Sequence, residues 1–192
     1  MHIKASIAAV FLAMLALTGW AADDSLPAEP PQGWELLTSP GKNWSVWLPK
    51  DGERSVESKT IDLENMKRKV EMVVQKAPNK TAYFAGHLSL STKPNEKADP
   101  KPVIEAFRQA FVESGKVLEE TDTMLLKIPG KEFLMQVEKD RMMRLRVFCG
   151  PYRLYIIGVV GSKEQVQDDA ATLFFRSFKH QGQIRAAELK KK

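Results

Sequence analysis

Glu132, Arg144, Arg146 and Tyr155 fall at strand-like spacing on neighbouring segments and form the best candidate binding site in this sequence. Guanidinium groups hold carboxylates through paired N–H donors, so two arginines beside a tyrosine could take an anion or a partner's acidic surface. The same residues could instead satisfy one another, with Glu132 bridging to arginine across strands. Trp47 is the fifth candidate. Alternation turns it away from Trp44, so it marks a contact patch if exposed and packs beneath a helix if buried.

No catalytic, cofactor or metal residue is assigned. His87 and His180 are far apart and neither has a local cluster of His, Cys, Asp or Glu of the kind that a metal needs. His87, on the polar side of a strand, reads as a wet or hydrogen-bonded side chain rather than a base. Nucleophile elbows, phosphate loops, dinucleotide fingerprints and zinc-protease motifs are absent from the sequence. The single cysteine, Cys149, has apolar neighbours in a strand and reads as a buried, inert thiol.

The amino terminus gives the address. Met1-His2-Ile3-Lys4 is followed by an apolar run from Ala8 to Leu17, and then by small residues before Asp23. This predicts a signal peptide over 1–21, cleaved after Ala21, and a periplasmic or secreted mature chain. The run breaks too soon for a bilayer span, so no stable membrane span is expected after cleavage. One cysteine cannot form an internal disulfide, so the mature chain must rely on its core. The formal net charge is +5, and it gathers in the tail, where Arg185, Lys190, Lys191 and Lys192 oppose only Glu188. A near-neutral folded part does not suit nucleic acid, and no nucleic-acid partner is expected.

Residues 22–33 read as a proline-rich leader, 34–180 as a single α+β domain, and 181–192 as a basic C-terminal tail. Strands are predicted at Trp44–Pro49, Arg54–Thr60, Lys67–Lys76 and Ala82–Ser91 from a period of two. A helix follows, with Asp99 as N-cap, Pro100 at its first position, a stripe of Val103, Ile104, Phe107, Ala110 and Phe111, and Gly115 as a left-handed stop. Glu132–Glu138, Met142–Cys149 and Tyr152–Val160 then form an antiparallel meander. A two-residue turn at Lys139-Asp140 would mix its faces. A three-residue loop through Arg141 instead sets Val137, Met135 and Phe133 opposite Met143, Leu145 and Val147.

One face of the meander is then wholly apolar. The other mixes Phe148, Tyr155, Ile157 and Val159 with Glu132, Gln136, Arg144 and Arg146, as expected of a partly covered face. A last helix is predicted from a capping box at Ser162 and Gln165, with a stripe of Val166, Ala170, Leu173 and Phe174 and an anchor at Phe178. The isolated strand glycine, Gly158, reads as a site of close packing.

In order and spacing, four segments resemble exported bacterial domains of the Mog1/PsbP-like fold. They are Asn43-Trp44-Ser45-Val46-Trp47-Leu48-Pro49, Ile128-Pro129-Gly130-Lys131-Glu132-Phe133, Arg146-Val147-Phe148 with Arg153-Leu154-Tyr155, and Ala171–Phe174 with Arg176-Ser177-Phe178-Lys179. Asn43 stands where that family has glycine, and Trp44 where it has phenylalanine or tyrosine. The resemblance implies a mainly antiparallel sheet with helices packed on its faces, an αβα sandwich, and a habit of associating with other proteins. An exported accessory or interaction module, partnered by another envelope or secreted protein, is therefore the leading expectation. A small-ligand binder using the arginine-lined face is the alternative, and an unrecognised hydrolase trails both.

Overall fold

The computed structural model describes residues 27–63, 66–90, 98–112 and 115–182. The segments expected as signal peptide, as leader up to residue 26 and as tail from residue 183 lie outside the described residues. Among the described residues, ten strands and two helices follow in the order β1 (Trp34–Thr38), β2 (Trp44–Pro49), β3 (Glu53–Leu63), β4 (Met66–Lys76), β5 (Ala82–Ser89), α1 (Pro100–Val112), β6 (Lys116–Leu125), β7 (Ile128–Glu138), β8 (Arg141–Cys149), β9 (Arg153–Gly161), α2 (Asp169–Ser177) and β10 (Lys179–His180). They make a seven-stranded sheet, β3-β4-β5-β9-β8-β7-β6, and a three-stranded sheet, β1-β2-β10. Every strand pair is antiparallel. Among the described residues no helix is long and apolar enough to cross a membrane.

The large sheet is buried on both faces, and strand alternation assigns each side chain to one of them. Val70, Leu88, Phe133, Met135, Leu145, Val147, Leu154 and Ile156 face α1, which contributes Val103, Ile104 and Phe107. Tyr83, Ala85, Phe148, Tyr155, Ile157 and Val159 face the other way. There they meet Trp44, Val46 and Leu48 of β2 and Ala171, Phe174 and Phe175 of α2. The fold is thus α+β, with two helices packed against two antiparallel sheets. Helices cover both faces of the large sheet as expected; among the described residues one outer layer is a helix, and the other is a helix together with a small sheet.

The meander keeps its predicted faces through a different turn. Glu138 pairs with Arg141, so Lys139-Asp140 is the two-residue turn that would mix the faces. Val137 then bulges out of the ladder, and the shift restores parity. Met135 pairs with Met143 and Phe133 with Leu145.

Both helix ends also differ from expectation. Gly115 has no positive φ; a side chain there would crowd the Gln136 carbonyl, which is why glycine precedes β6. The side chains of Ala110 and Phe111 lie outside the described ones. The capping box forms, with Ser162 N–H donating to Gln165 Oε1 at 2.8 Å and Gln165 N–H to Ser162 Oγ at 3.3 Å. It caps only a turn. The helix starts later, where Asp168 Oδ1 accepts from Ala171 N–H at 2.7 Å, and its buried stripe is Ala171, Phe174 and Phe175 in place of Ala170 and Leu173. Val166 and Phe178 are buried as expected.

Candidate functional site

Arg144 and Arg146 project from β8 on the face that carries α2, and Glu132 reaches them from β7. Glu132 pairs with Arg146 in register, and Leu134 with Arg144. The single carboxylate therefore lies between two guanidinium groups. Arg144 Nε donates to Glu132 Oε1 at 3.1 Å, its Nη2 lies 3.0 Å from the same oxygen, and Arg146 Nε donates to Glu132 Oε2. The three side chains retain 20–23% of their exposure. Phe175 of α2 closes the cluster, with the Arg146 and Arg144 guanidinium carbons 4.7 and 5.0 Å from its ring centroid. Chemically, this is a cross-strand ion pair doubled on one acid and capped by an aromatic ring.

Tyr155 shares that face but is engaged elsewhere. It stands opposite Phe148, and its ring meets Phe178 and His180 at 5.9 and 6.2 Å. Burial raises the pKa of its hydroxyl, with Arg153 and the Gln181 backbone opposing. Trp47 is 3% exposed and offers no surface; its backbone N–H donates to Ser177 Oγ at 2.9 Å.

A second polar cluster forms around Tyr155, assembled from β2, β5, β9 and the segment after α2. His87 Nε2 lies 3.1 Å from Asn43 Nδ2, and Arg153 Nη1 donates to Gln181 Oε1 at 2.7 Å. His87 Nδ1 and Arg153 Nε are buried without a hydrogen-bond partner. Burial first, then the Arg153 charge, lowers the His87 pKa, with Glu71 opposing. The imidazole lies against the Asn43 amide and stands opposite Glu71 across the β4–β5 ladder. No sequence signal joins these residues, because they meet only through pairing of β5 with β9 and of β2 with β10.

At the far edge of the large sheet, β6 has no strand neighbour on its outer side among the described residues. Met124 and Leu126 are each 64% exposed and Leu118 is 45% exposed, the last at a bulge between Val117 and Glu119. Leu126 sits in the two-residue turn to β7 at φ 57, a left-handed conformation that disfavours a branched side chain. Glu120 anchors the strand from within. Arg108 of α1 and Lys131 of β7 donate to its two oxygens at 2.7 and 2.6 Å and lower its pKa. Asp122 keeps 89% of its side-chain exposure despite an ion pair with Lys131.

Among the described residues no group of three His, Cys, Asp or Glu side chains is placed to hold a metal ion. A scan against protein-family models and a search of curated proteins give no match to this chain.

Proposed function

We propose that the chain is an exported, non-catalytic interaction module that docks a basic, extended segment of another envelope or secreted protein along β6. The observation that carries this reading is the open edge of β6, with Leu118, Met124 and Leu126 exposed along it and at its turn. A free edge offers unpaired backbone groups to an added strand, and exposed apolar side chains beside it supply pockets or anchors. The acidic outer residues of β6 have two effects. They deter indiscriminate edge-to-edge association, and they select a partner of opposite charge. A leucine kept in a left-handed turn adds a local cost that packing does not explain and that contact with a partner would offset.

Export is read from the amino terminus, and the Mog1/PsbP-like architecture from the order of the four motifs; the observed α+β fold with antiparallel sheets is compatible with it. The alternative of an anion site on Arg144 and Arg146 has one supporting observation, a positive charge in excess over Glu132. It ranks second, because Glu132 and Phe175 already occupy the guanidinium groups.

Photo-crosslinking in the native envelope tests the leading reading. A mature chain beginning at Ala22 is expected, with a discrete adduct from Met124 or Leu126 that disappears in Asp122→Lys. Val56, 74% exposed on the opposite edge strand, serves as the control position. Retention of residues 1–21 inside the cell, or identical adducts from Val56, would refute it.

A further inference from the structure

Two cavities on the α1 side of the molecule meet at a shared wall. The first, of about 270 Å³, is a groove between α1 and the large sheet, lined by Met72, Val74, Phe84, Phe107, Ile156 and Val160. The second, of about 770 Å³, is a polar basin formed by the β4–β5 turn, the β7–β8 turn and the start of the segment leading to α2. Ala82 and Arg141 line both. The groove is thus mainly apolar, with Glu57 at its β3 side, and opens, past one arginine, into a basin that also holds Lys76, Lys80, Asn79 and Ser162.

The backbone is shaped to keep the groove open. Gly158 on β9 pairs with Phe84, and a side chain there would overlap the Phe84 ring, so the ring lies flat across the strand. Gly86 pairs with Met72, and a Cβ there would lie 2.6 Å from Met72 Cγ. Both glycines face α1 by strand parity. A side chain at 158 would lift Phe84 into the groove, whereas one at 86 would meet the Glu71 carbonyl as well as Met72.

We infer that this composite cavity binds a single-chain anionic amphiphile, with its alkyl chain in the groove and its head group at Arg141 in the basin. An apolar slot with few convergent polar groups is the usual build of a small-molecule site, and its volume suits one chain rather than two. Charge sets the orientation. Arg141, Lys76 and Lys80 outnumber Glu53 and Asp140 in the basin, whereas Glu57 borders the groove from β3. The anionic end therefore belongs at the Arg141 end. This site is separate from the β6 edge, and either can fail without the other.

Isothermal titration of the purified protein with decanoyl lysophosphatidylglycerol, below its micelle concentration, tests the inference. One equivalent should bind per chain, and neutral monodecanoylglycerol should bind at least tenfold more weakly. Arg141→Gln, at an exposed position, should lower lysophospholipid affinity about tenfold and leave the neutral ligand unchanged. Ala82→Phe should abolish binding of both by plugging the junction; if it does not fold, Val160→Glu takes its place. Decanoate binding as tightly as the lysophospholipid would also support the site and would assign the head to a simple carboxylate. No binding to the parent protein, or equal binding by the parent, Arg141→Gln and the plugged variant, would overturn the inference.

Discussion

Glu132→Gln isolates the doubled ion pair, because glutamine keeps the shape and one carbonyl oxygen but removes the charge. Two guanidinium groups would then lie side by side over the Phe175 ring with no anion between them. Exposed pairs contribute up to about 1 kcal/mol. Removing one partner of a fully buried pair costs about 3–5 kcal/mol, chiefly through the charge left behind. At 20–23% side-chain exposure this cluster lies between those limits, and a loss of about 2 kcal/mol is expected. For a domain of this size that corresponds to a midpoint roughly 4–8 °C lower. Urea unfolding with an unchanged slope is the assay, since a changed slope would mean a changed denatured state. At about 1 M salt the Debye length falls to about 3 Å, and the residual arginine–arginine repulsion should weaken. The variant should recover part of its deficit there. Adding Arg144→Met to Glu132→Gln should restore stability further, by removing the second unpaired charge. A loss below about 0.5 kcal/mol, or one insensitive to both salt and the second substitution, would show that solvent already screens the cluster.

Two further predictions concern buried titratable groups. Burial lowers the pKa values of His87 and His180 from 6.5, with Arg153 adding to the shift at His87. Below pH 6.5 the unfolded chain therefore binds protons that the folded chain refuses, so the contribution of these groups is complete above that pH and declines as pH falls through the window beneath it. Thermal unfolding at pH 7.5 and 5.5 should show the lower midpoint at 5.5, and His87→Asn should reduce the difference; an undiminished difference would refute the assignment to His87. The Cys149 thiol is buried, and burial, followed by the Asp99 charge, pushes its pKa up to about 12. It should ignore a disulfide reagent in the native state and react once per chain in denaturant, and rapid native labelling would contradict its burial.

The legible part of the fold was what alternation controls. Leu145 and Val147 against Arg144 and Arg146 told both faces of β8, and the ion pair followed, since Glu132 keeps its parity even though the turn was misread. The register was not legible because the Val137 bulge leaves no mark in an alternating sequence. The second helix was misplaced for a related reason. A Ser-x-x-Gln box closes a turn as readily as a helix, and Asp168, six residues on, offers a competing cap. β10 was invisible, since two residues carry no period and Lys179–His180 form a strand only by pairing with Ser45 and Trp44. Tyr155 fell on the right face, but its partners Phe178, His180 and Gln181 reach it through that same pairing.

The open groove could not be read from the sequence, yet it follows from the dimensions of the layers. Seven strands at about 4.8 Å spacing make a sheet about 29 Å wide. A 13-residue helix is about 20 Å long and covers a strip about 10–12 Å across. α1 alone cannot cover such a face. It reaches across the strands, contacting β3 near one edge as well as β7 and β8 in the other half. Apolar side chains of β4, β5 and β9 line the space that it leaves, together with Phe107. A side chain at 158 would push Phe84 into that space, and glycine occupies the position. The opposite face faces the same shortage of cover and meets it differently, with β2 and α2 together and Trp44, Phe174, Phe175 and Phe178 packed beneath them. One face is thus filled with aromatic rings while the other keeps a slot. The difference lies in side-chain volume placed on equivalent strands, which is why ligand occupancy, rather than further packing, is the expected use of the α1 side.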